Sequence, residues 1–346
     1  MSEPLDLVAA VRRACADLAA GVPAPELARA AAIVSERYRA ASAEPGTVDT
    51  RIRSRQEAVA SLVTRFPATF AACSRVARLV GESMPGFRPE SAVDVGAGSG
   101  ASALAVAGAW PSIGDLRLVE PSAHMATVGA DLLGRIGRDE AAGWRWDHAD
   151  GQIAHVEPAD LVVLSYVVGE QLPDRLEPLV TRWWAACRGV LLVVEPGTPA
   201  GFERIARIRT LVTGSGGSVV APCPHDGPCP LAGEQSSTAA TAADWCHFGV
   251  RLARSSEHRR LKGGDLSYED EKFSFVAASR LPAERPAGRV LRRPTRARRR
   301  VDLTVCRVGG DVARAVVPQS LPSYRAATKT EWGDAWPALP MSGGRE

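Results

Sequence analysis

Long apolar runs are missing from this sequence of 346 residues. The longest, around Leu161 to Val168 and Val190 to Val194, fall far short of the roughly 20 residues a membrane helix needs, so no helical span and no membrane partner are expected. A basic head followed by an apolar stretch is missing too. The chain starts Met-Ser-Glu-Pro-Leu-Asp, which predicts a cytoplasmic protein without a secretory signal. Charge of one sign is also scarce. A net charge of +3 is too small to imply a polyanion partner, and any such argument has to come from local clusters. What is present is ample apolar content: 45% hydrophobic residues support one large globular domain or two. Nothing in the sequence fixes the oligomeric state.

The stretch that organises the chain is Ser91-Ala-Val-Asp-Val-Gly-Ala-Gly-Ser-Gly100, followed by Ala101-Ser-Ala-Leu-Ala-Val-Ala-Gly-Ala109. It reads as strand, tight turn and helix. Alternate glycines let the backbone turn sharply and approach a ligand, while the new helix points unpaired N–H groups at it. A dinucleotide loop also fits this pattern. However, Asp94, Gly96, Gly98 and Gly100 make the run D-x-G-x-G-x-G, which resembles the first motif of class I S-adenosylmethionine methyltransferases. The next strand, Leu116-Arg-Leu-Val-Glu120, ends in an acid placed to accept hydrogen bonds from ribose hydroxyls. Glu120 supports the βαβ unit without choosing between the two cofactors.

Residues 1–85 read as an N-terminal helical region, punctuated at Gly21-Val-Pro-Ala-Pro25 and divided at Pro67. A Rossmann-like α/β core is expected over 86–213, a Cys-rich metal-binding insertion over 214–265, the last two core strands with an Arg-rich connection over 266–310, and a tail over 311–346. Five strands alternate with helices up to Glu195. Phe273-Ser-Phe-Val-Ala-Ala278 and Val301-Asp-Leu-Thr-Val-Cys306 are expected to complete a seven-stranded doubly wound sheet. Asp147, after the third strand, is a candidate for reading adenine. Tyr166 and Glu170 follow the fourth strand, at the carboxyl edge where open α/β sheets bind substrates, and are the catalytic candidates. Neither Asn-Pro-Pro-Tyr nor Asp-Pro-Pro-Tyr occurs, and no Pro-Cys nucleophile lies on that strand. The sequence therefore names no catalytic base or nucleophile.

Three of the seven cysteines fall among turn-forming residues, in Ala221-Pro-Cys-Pro-His-Asp-Gly-Pro-Cys-Pro-Leu231 and Trp245-Cys-His-Phe248. Thiols clustered beside Pro and Gly in a reducing compartment point to a metal rather than to disulfides. Cys223, Cys229 and Cys246 leave one position open, for which Cys306 is the natural fourth ligand, with His247 and His225 in reserve. The spacing matches no compact zinc ribbon, and zinc and an iron–sulfur cluster both remain open on chemistry. Cys15, Cys73 and Cys187 sit in apolar surroundings and read as small core residues.

These Cys segments, together with Val194-Glu-Pro-Gly-Thr-Pro199, Leu261-Lys-Gly-Gly-Asp-Leu-Ser-Tyr-Glu-Asp-Glu-Lys-Phe-Ser-Phe275 and Trp332-Gly-Asp334, resemble the methyltransferase-like small-ribosomal-subunit assembly family. The resemblance implies a class I methyltransferase fold, S-adenosylmethionine as cofactor, and a 4Fe-4S cluster on Cys223, Cys229, Cys246 and Cys306, with zinc the alternative. It implies small-subunit RNA and the assembling small subunit as partners, with or without methyl transfer. Charge clustering agrees with an RNA partner. Nine arginines and one acid lie between Arg280 and Arg300, and Arg292, Arg293, Arg298, Arg299 and Arg300 are the candidate phosphate contacts.

Overall fold

A computed structural model describes residues 7–43, 49–137, 143–155, 157–232 and 244–337. The chain forms two compact units. One comprises residues 1–74, 88–187 and 250–271; the other comprises 75–87, 188–249 and 272–346.

The chain opens with helices α1 (Leu7–Ala20), α2 (Ala24–Ala43) and α3 (Arg55–Ser83). The break between α1 and α2 falls at the Gly–Pro punctuation, as expected. Pro67, however, lies inside α3, which continues through it. Proline costs a helix one backbone bond, but Leu62, Val63, Phe66 and Phe70 are buried on either side of it, and that packing holds the helix in one piece.

Four parallel strands follow: β1 (Ser91–Val95), β2 (Asp115–Val119), β3 (Arg145–Asp147) and β4 (Ala159–Ser165), in the spatial order β3-β2-β1-β4. Helices α4 (Ala101–Ala109), α5 (Ala123–Arg135) and α6 (Leu176–Ala186) alternate with them. Strand β1 is central, with Asp94 opposite Leu118 on one side and Val163 on the other. Being flanked on both sides, it is apolar almost throughout and its first turn lies at the carboxyl edge.

In the second unit, strand β5 (Cys187–Pro196) leads to helix α7 (Pro199–Gly214) and strand β6 (Ser218–Ala221). Along the chain, strands β7 (Phe248–Ala253) and β8 (Tyr268–Ser279) flank helix α8 (Ser256–Lys262), which belongs to the first unit. Residues 273–279 of β8 run between β5 and β6, antiparallel to both. The strands after β5 are thus Ser218–Ala221 and β8, with β7 pairing β8, so that among the described residues the sheet has eight strands where seven were expected, and Val301–Cys306, expected to supply one of them, is absent from it. That segment instead lies in β11 (Arg300–Arg307), the centre of a separate sheet with β9 (Gly288–Val290), β10 (Thr295–Ala297) and β12 (Val312–Pro318). Its alternating Val301, Leu303 and Val305 bury one face with Val317 and with Ala327 of α9 (Tyr324–Lys329). A strand that alternates can sit on any half-buried sheet, so pattern alone could not choose between the two.

The expected insertion is correspondingly reduced. Residues 218–221 are core strand, and 248–262 form β7 and α8. The Cys-bearing remainder is irregular, and its residues 233–243 lie outside the described set.

Candidate functional sites

The glycine turn after β1 has the geometry its sequence demands. Gly96, Gly98 and Gly100 have φ of 72°, 57° and 87°, all left-handed, where a side chain is strained. The Gly96 and Ala97 N–H groups donate to the Val119 carbonyl at 2.8 and 3.1 Å, anchoring the loop to β2. Gly100 caps α4 with no side-chain bond, so the helix presents N–H groups at its start. A Cβ on Gly98 would meet only the Met125 Cε at 3.4 Å, which leaves that edge of the loop open to a ligand.

Asp94 is fully buried, and its Oδ2 accepts from Ser102 Oγ at 2.6 Å and Ala103 N at 3.0 Å. It ties the first turn of α4 to the sheet, while Oδ1 has no partner. Burial pushes this carboxyl up to about 7, against the two hydrogen bonds that favour its charge. An acid whose folded value is raised above its unfolded one, about 4, stabilises the fold below that value and loses the contribution as pH climbs to about 7. Asp94→Asn is therefore expected to gain stability relative to wild type as pH rises from about 4 to 7, then level off. Urea unfolding across that range checks it; a constant difference would contradict the assignment.

Glu120, expected to meet ribose, clamps the glycine turn: Oε2 accepts from Gly98 N at 2.9 Å and Oε1 from Ser122 N at 2.8 Å. Each oxygen keeps a further lone pair for a ligand hydroxyl. Burial raises this carboxyl, against the two backbone donors. Asp147 pairs with the buried Arg117 guanidinium, which also donates to the His155 carbonyl at 2.6 Å. Its carboxylate is thus partly committed within the fold.

Tyr166 follows β4 with φ of 57°, a strained value for a bulky residue. Its hydroxyl donates to Glu271 Oε1 at 2.9 Å, and burial raises the Glu271 carboxyl despite that bond. Val167 fits the turn so closely that a Cβ on Gly96 would lie 2.5 Å from its Cγ2. Glu170 accepts from Thr50 Oγ1 at 2.8 Å. The Arg65 guanidinium lies 3.6 Å from the Tyr38 ring centroid, and Tyr38 feels the charges of Glu170, Glu120 and Arg65. The structure thus adds Tyr38, Thr50, Arg65 and Glu271 to this carboxyl edge. Of these only Glu271 had a sequence signal, lying inside Tyr268-Glu-Asp-Glu-Lys272.

In the second unit all four candidate thiols are electrostatic neighbours. Burial, followed by Cys223, pushes Cys229 up to about 11. Burial, followed by Cys223 and Cys229, pushes Cys306 up to about 12. Cys246 is raised by burial, then by Cys229, Cys223 and Cys306. Among the described residues, however, no group of three or more His, Cys, Asp or Glu side chains is arranged to hold a metal ion. A single tetrahedral ion would need its sulfurs drawn in to about 2.3 Å from one centre, so the expected metal-binding insertion is not formed as a mononuclear site. His225 is buried with Nε2 3.6 Å from Cys306 Sγ. His247 directs Nδ1 to the Trp245 carbonyl at 3.0 Å and stacks on the Trp245 ring.

Three arginines fasten the Cys-bearing loops. Buried Arg209 donates to the His225 and Gly227 carbonyls at 2.9 and 2.6 Å. Arg289, 1% exposed, donates to Pro222 O at 2.9 Å and Gly333 O at 3.1 Å. Arg292 pairs with Asp244 and donates to Trp245 O at 3.1 Å. A set of four thiols surrounded by guanidiniums suits an anionic thiolate-bound group in its donor chemistry and charge. Cys15, Cys73 and Cys187 are buried, as core cysteines should be.

Arg292, one of the phosphate candidates, is thus turned inward, and Arg296 donates to the Thr328 and Thr330 carbonyls at 3.1 and 2.8 Å. Arg293, Arg298, Arg299 and Arg300 are exposed. Arg289→Met would leave two buried carbonyls without donors and is expected to cost roughly 3 kcal/mol or more, readable as a lowered urea midpoint.

Residues 55–337 match the family described as mitochondrial small ribosomal subunit Rsm22. The human mitochondrial ribosome assembly protein METTL17 is 28% identical over 306 residues, covering 81% of this chain and 62% of that protein. A fission yeast relative, the mitochondrial Rsm22-cox11 tandem protein 2, is 29% identical over 184 residues, covering 43% of this chain and 24% of the relative. This chain therefore spans less than two thirds of either. Among solved structures, magnesium protoporphyrin IX methyltransferase from Synechocystis aligns at a TM-score of 0.40 with 12% identity, covering 73% of this chain and 97% of that one. The cytoplasmic expectation is corrected by these matches, since the family and both sequence relatives are named as mitochondrial; the composition of the first residues was too weak a signal to place the protein. With 55–337 matched and the α/β core in place, the chain belongs to the Rsm22 family of methyltransferase-like small-ribosomal-subunit proteins.

Proposed function

We propose that this protein binds S-adenosylmethionine in the glycine turn, associates with small-ribosomal-subunit RNA during assembly, and carries an iron–sulfur cluster on Cys223, Cys229, Cys246 and Cys306. The observation that carries the cofactor reading is the turn itself: three left-handed glycines before a helix whose N-cap, Gly100, has no side chain, locked in place by Glu120. The cofactor, when bound, supplies an electrophilic methyl group on a sulfonium. Glu120 fixes the Gly98 N–H and offers its remaining lone pairs to hydroxyls, and Asp94 ties the first turn of α4 to β1. Glu120→Ala is expected to weaken S-adenosylmethionine binding about tenfold or more, because it frees two backbone donors and removes an acceptor. Calorimetry giving wild-type affinity would remove the cofactor reading.

A second reading, a non-catalytic assembly factor that binds ribosomal RNA with the same fold and cluster, draws support from the site. Tyr166 and Glu170 are engaged with Glu271 and Thr50 rather than standing free. Transfer of label from radioactive cofactor to small-subunit precursors separates the two: labelled RNA supports the enzyme, and cofactor binding without transfer supports the assembly factor.

The cluster reading rests on four thiols brought into one region, where Cys229, Cys246 and Cys306 each feel Cys223 after burial, and on the arginines around them. A multi-iron cluster holds its cysteines farther apart than one ion does, which accommodates thiols that share a region without closing on a single point. The zinc alternative has no comparable support.

A further inference from the structure

The hairpin of β10 and β11 carries its chemistry at its tip. Ala297 pairs with Arg300, so Arg298 and Arg299 alone make the turn. Arg299 has φ of 63°, a position in a two-residue hairpin that favours glycine or asparagine and strains any other residue. Packing gives no reason for an arginine there. The residue is exposed, and its side chain bonds only the Gln319 amide oxygen, at 3.0 Å, among the described residues. Strain held at a surface tip without a packing return points to function.

The neighbours make the tip strongly cationic. Arg298 is exposed and has no ion-pair partner among the described residues. Arg300 reaches Asp302 at 3.5 Å, but the same carboxylate is held by Arg314 at 2.8 Å, so one acid faces two guanidiniums. Arg325 and Lys329 of α9, which packs on the same small sheet, are also exposed.

What this chain does not display is equally informative. None of its Phe, Trp or Tyr residues is exposed; eight Trp and Tyr residues are half-buried, among them Tyr268, which already has Arg251 over its ring at 4.1 Å. Single-stranded RNA is gripped chiefly by aromatic side chains that stack on splayed bases, whereas A-form duplexes are held through backbone and shape.

Resting on the RNA reading above, we infer that the Arg298–Arg300 tip grips the phosphate backbone of double-helical RNA rather than unpaired bases. Arg299, fixed by the turn, directs one guanidinium while Arg298 and Arg300 flank it. Recognition of this kind is independent of sequence and falls steeply with salt.

The test is fluorescence anisotropy of the full chain with a perfectly paired RNA hairpin and with oligouridine of equal charge, between about 50 and 200 mM salt. The duplex should bind more tightly. Replacing Arg298 and Arg300 with alanine and Arg299 with glycine should lower the slope of log affinity against log salt by about 2 to 3, because each lost phosphate contact removes about 0.9. Arg299→Gly alone should weaken duplex binding while leaving the melting temperature equal or higher, since it relieves the turn. Arg12→Ala, which removes one charge from α1 as Arg299→Gly removes one from the tip, should leave the slope unchanged. Equal or tighter binding of oligouridine, or wild-type duplex affinity in Arg299→Gly, would overturn the inference while leaving the RNA reading intact. Binding of neither RNA by the wild-type chain would overturn that reading and the inference with it.

Discussion

Cys306→Ser is expected to strip most of the iron and sulfide from anaerobically purified protein, whereas Cys73→Ser keeps both. Cys306 stands on β11, paired with Val312 on one side and Arg289 on the other, so its thiol is held by a rigid strand. The other three thiols lie on irregular segments, but their backbones are tied down by Arg209, Arg289 and Arg292. This arrangement decides how the metal-free protein should behave. Without a cluster the Cys229 and Cys306 thiols are neutral at pH 7, since burial pushes them up to about 11 and about 12. Neutral thiols tolerate burial, so the Cys306→Ser protein should lose colour and metal while keeping its secondary structure by circular dichroism. Its thermal midpoint should fall, because ligation by thiolates stabilises only the folded state. Stoichiometric zinc without sulfide in the wild-type protein would sink the cluster. Full metal retention in Cys306→Ser would move the fourth ligand to His225, whose Nε2 lies 3.6 Å from the Cys306 sulfur.

Gly96→Val should do the most damage to the glycine turn, lowering stability by about 3 kcal/mol and abolishing measurable cofactor binding. Two independent effects add there. A φ of 72° strains a branched residue, and a Cβ would lie 2.5 Å from Val167 Cγ2, forcing the start of the Tyr166 segment away. Gly98→Ala separates stability from binding. Its Cβ would meet only Met125 Cε at 3.4 Å, so the cost is the left-handed backbone, roughly 1 to 2 kcal/mol. Its effect should fall mainly on cofactor affinity, because the methyl would project toward the open edge of the turn. Urea midpoints and calorimetry on both variants check this. Equal loss of stability in the two, or unchanged affinity in Gly98→Ala, would contradict it.

Much of the fold could be read from the chain because its signals are local. Asp94 to Gly100 spells strand, turn and helix within a few residues, and the break between α1 and α2 lies at its own Gly and Pro. The alternation of strands and helices as far as Glu195 follows from hydrophobic period in the same way. Failures arose where the outcome depended on competition between distant surfaces. Pro67 was outweighed by packing along α3, and Val301–Cys306 went to a small sheet of its own because an alternating strand carries no address for its partner.

The sites divide along the same line. By itself the sequence determined the glycine turn, the acid after β2, the set of four cysteines and the Arg-rich segment, since each is a matter of residue type and near spacing. Only the tertiary structure decided what those groups do. It gave Glu120 to the Gly98 and Ser122 backbone, Asp147 to Arg117, and Tyr166 to Glu271, 105 residues away. It also sorted one basic run into arginines that fasten loops, such as Arg292 on Asp244, and arginines left at a hairpin tip, Arg298 to Arg300. A side chain's charge is written in the sequence, but its partner is chosen by whichever distant group folding brings within hydrogen-bond reach, and a charge already paired has far less to give a ligand.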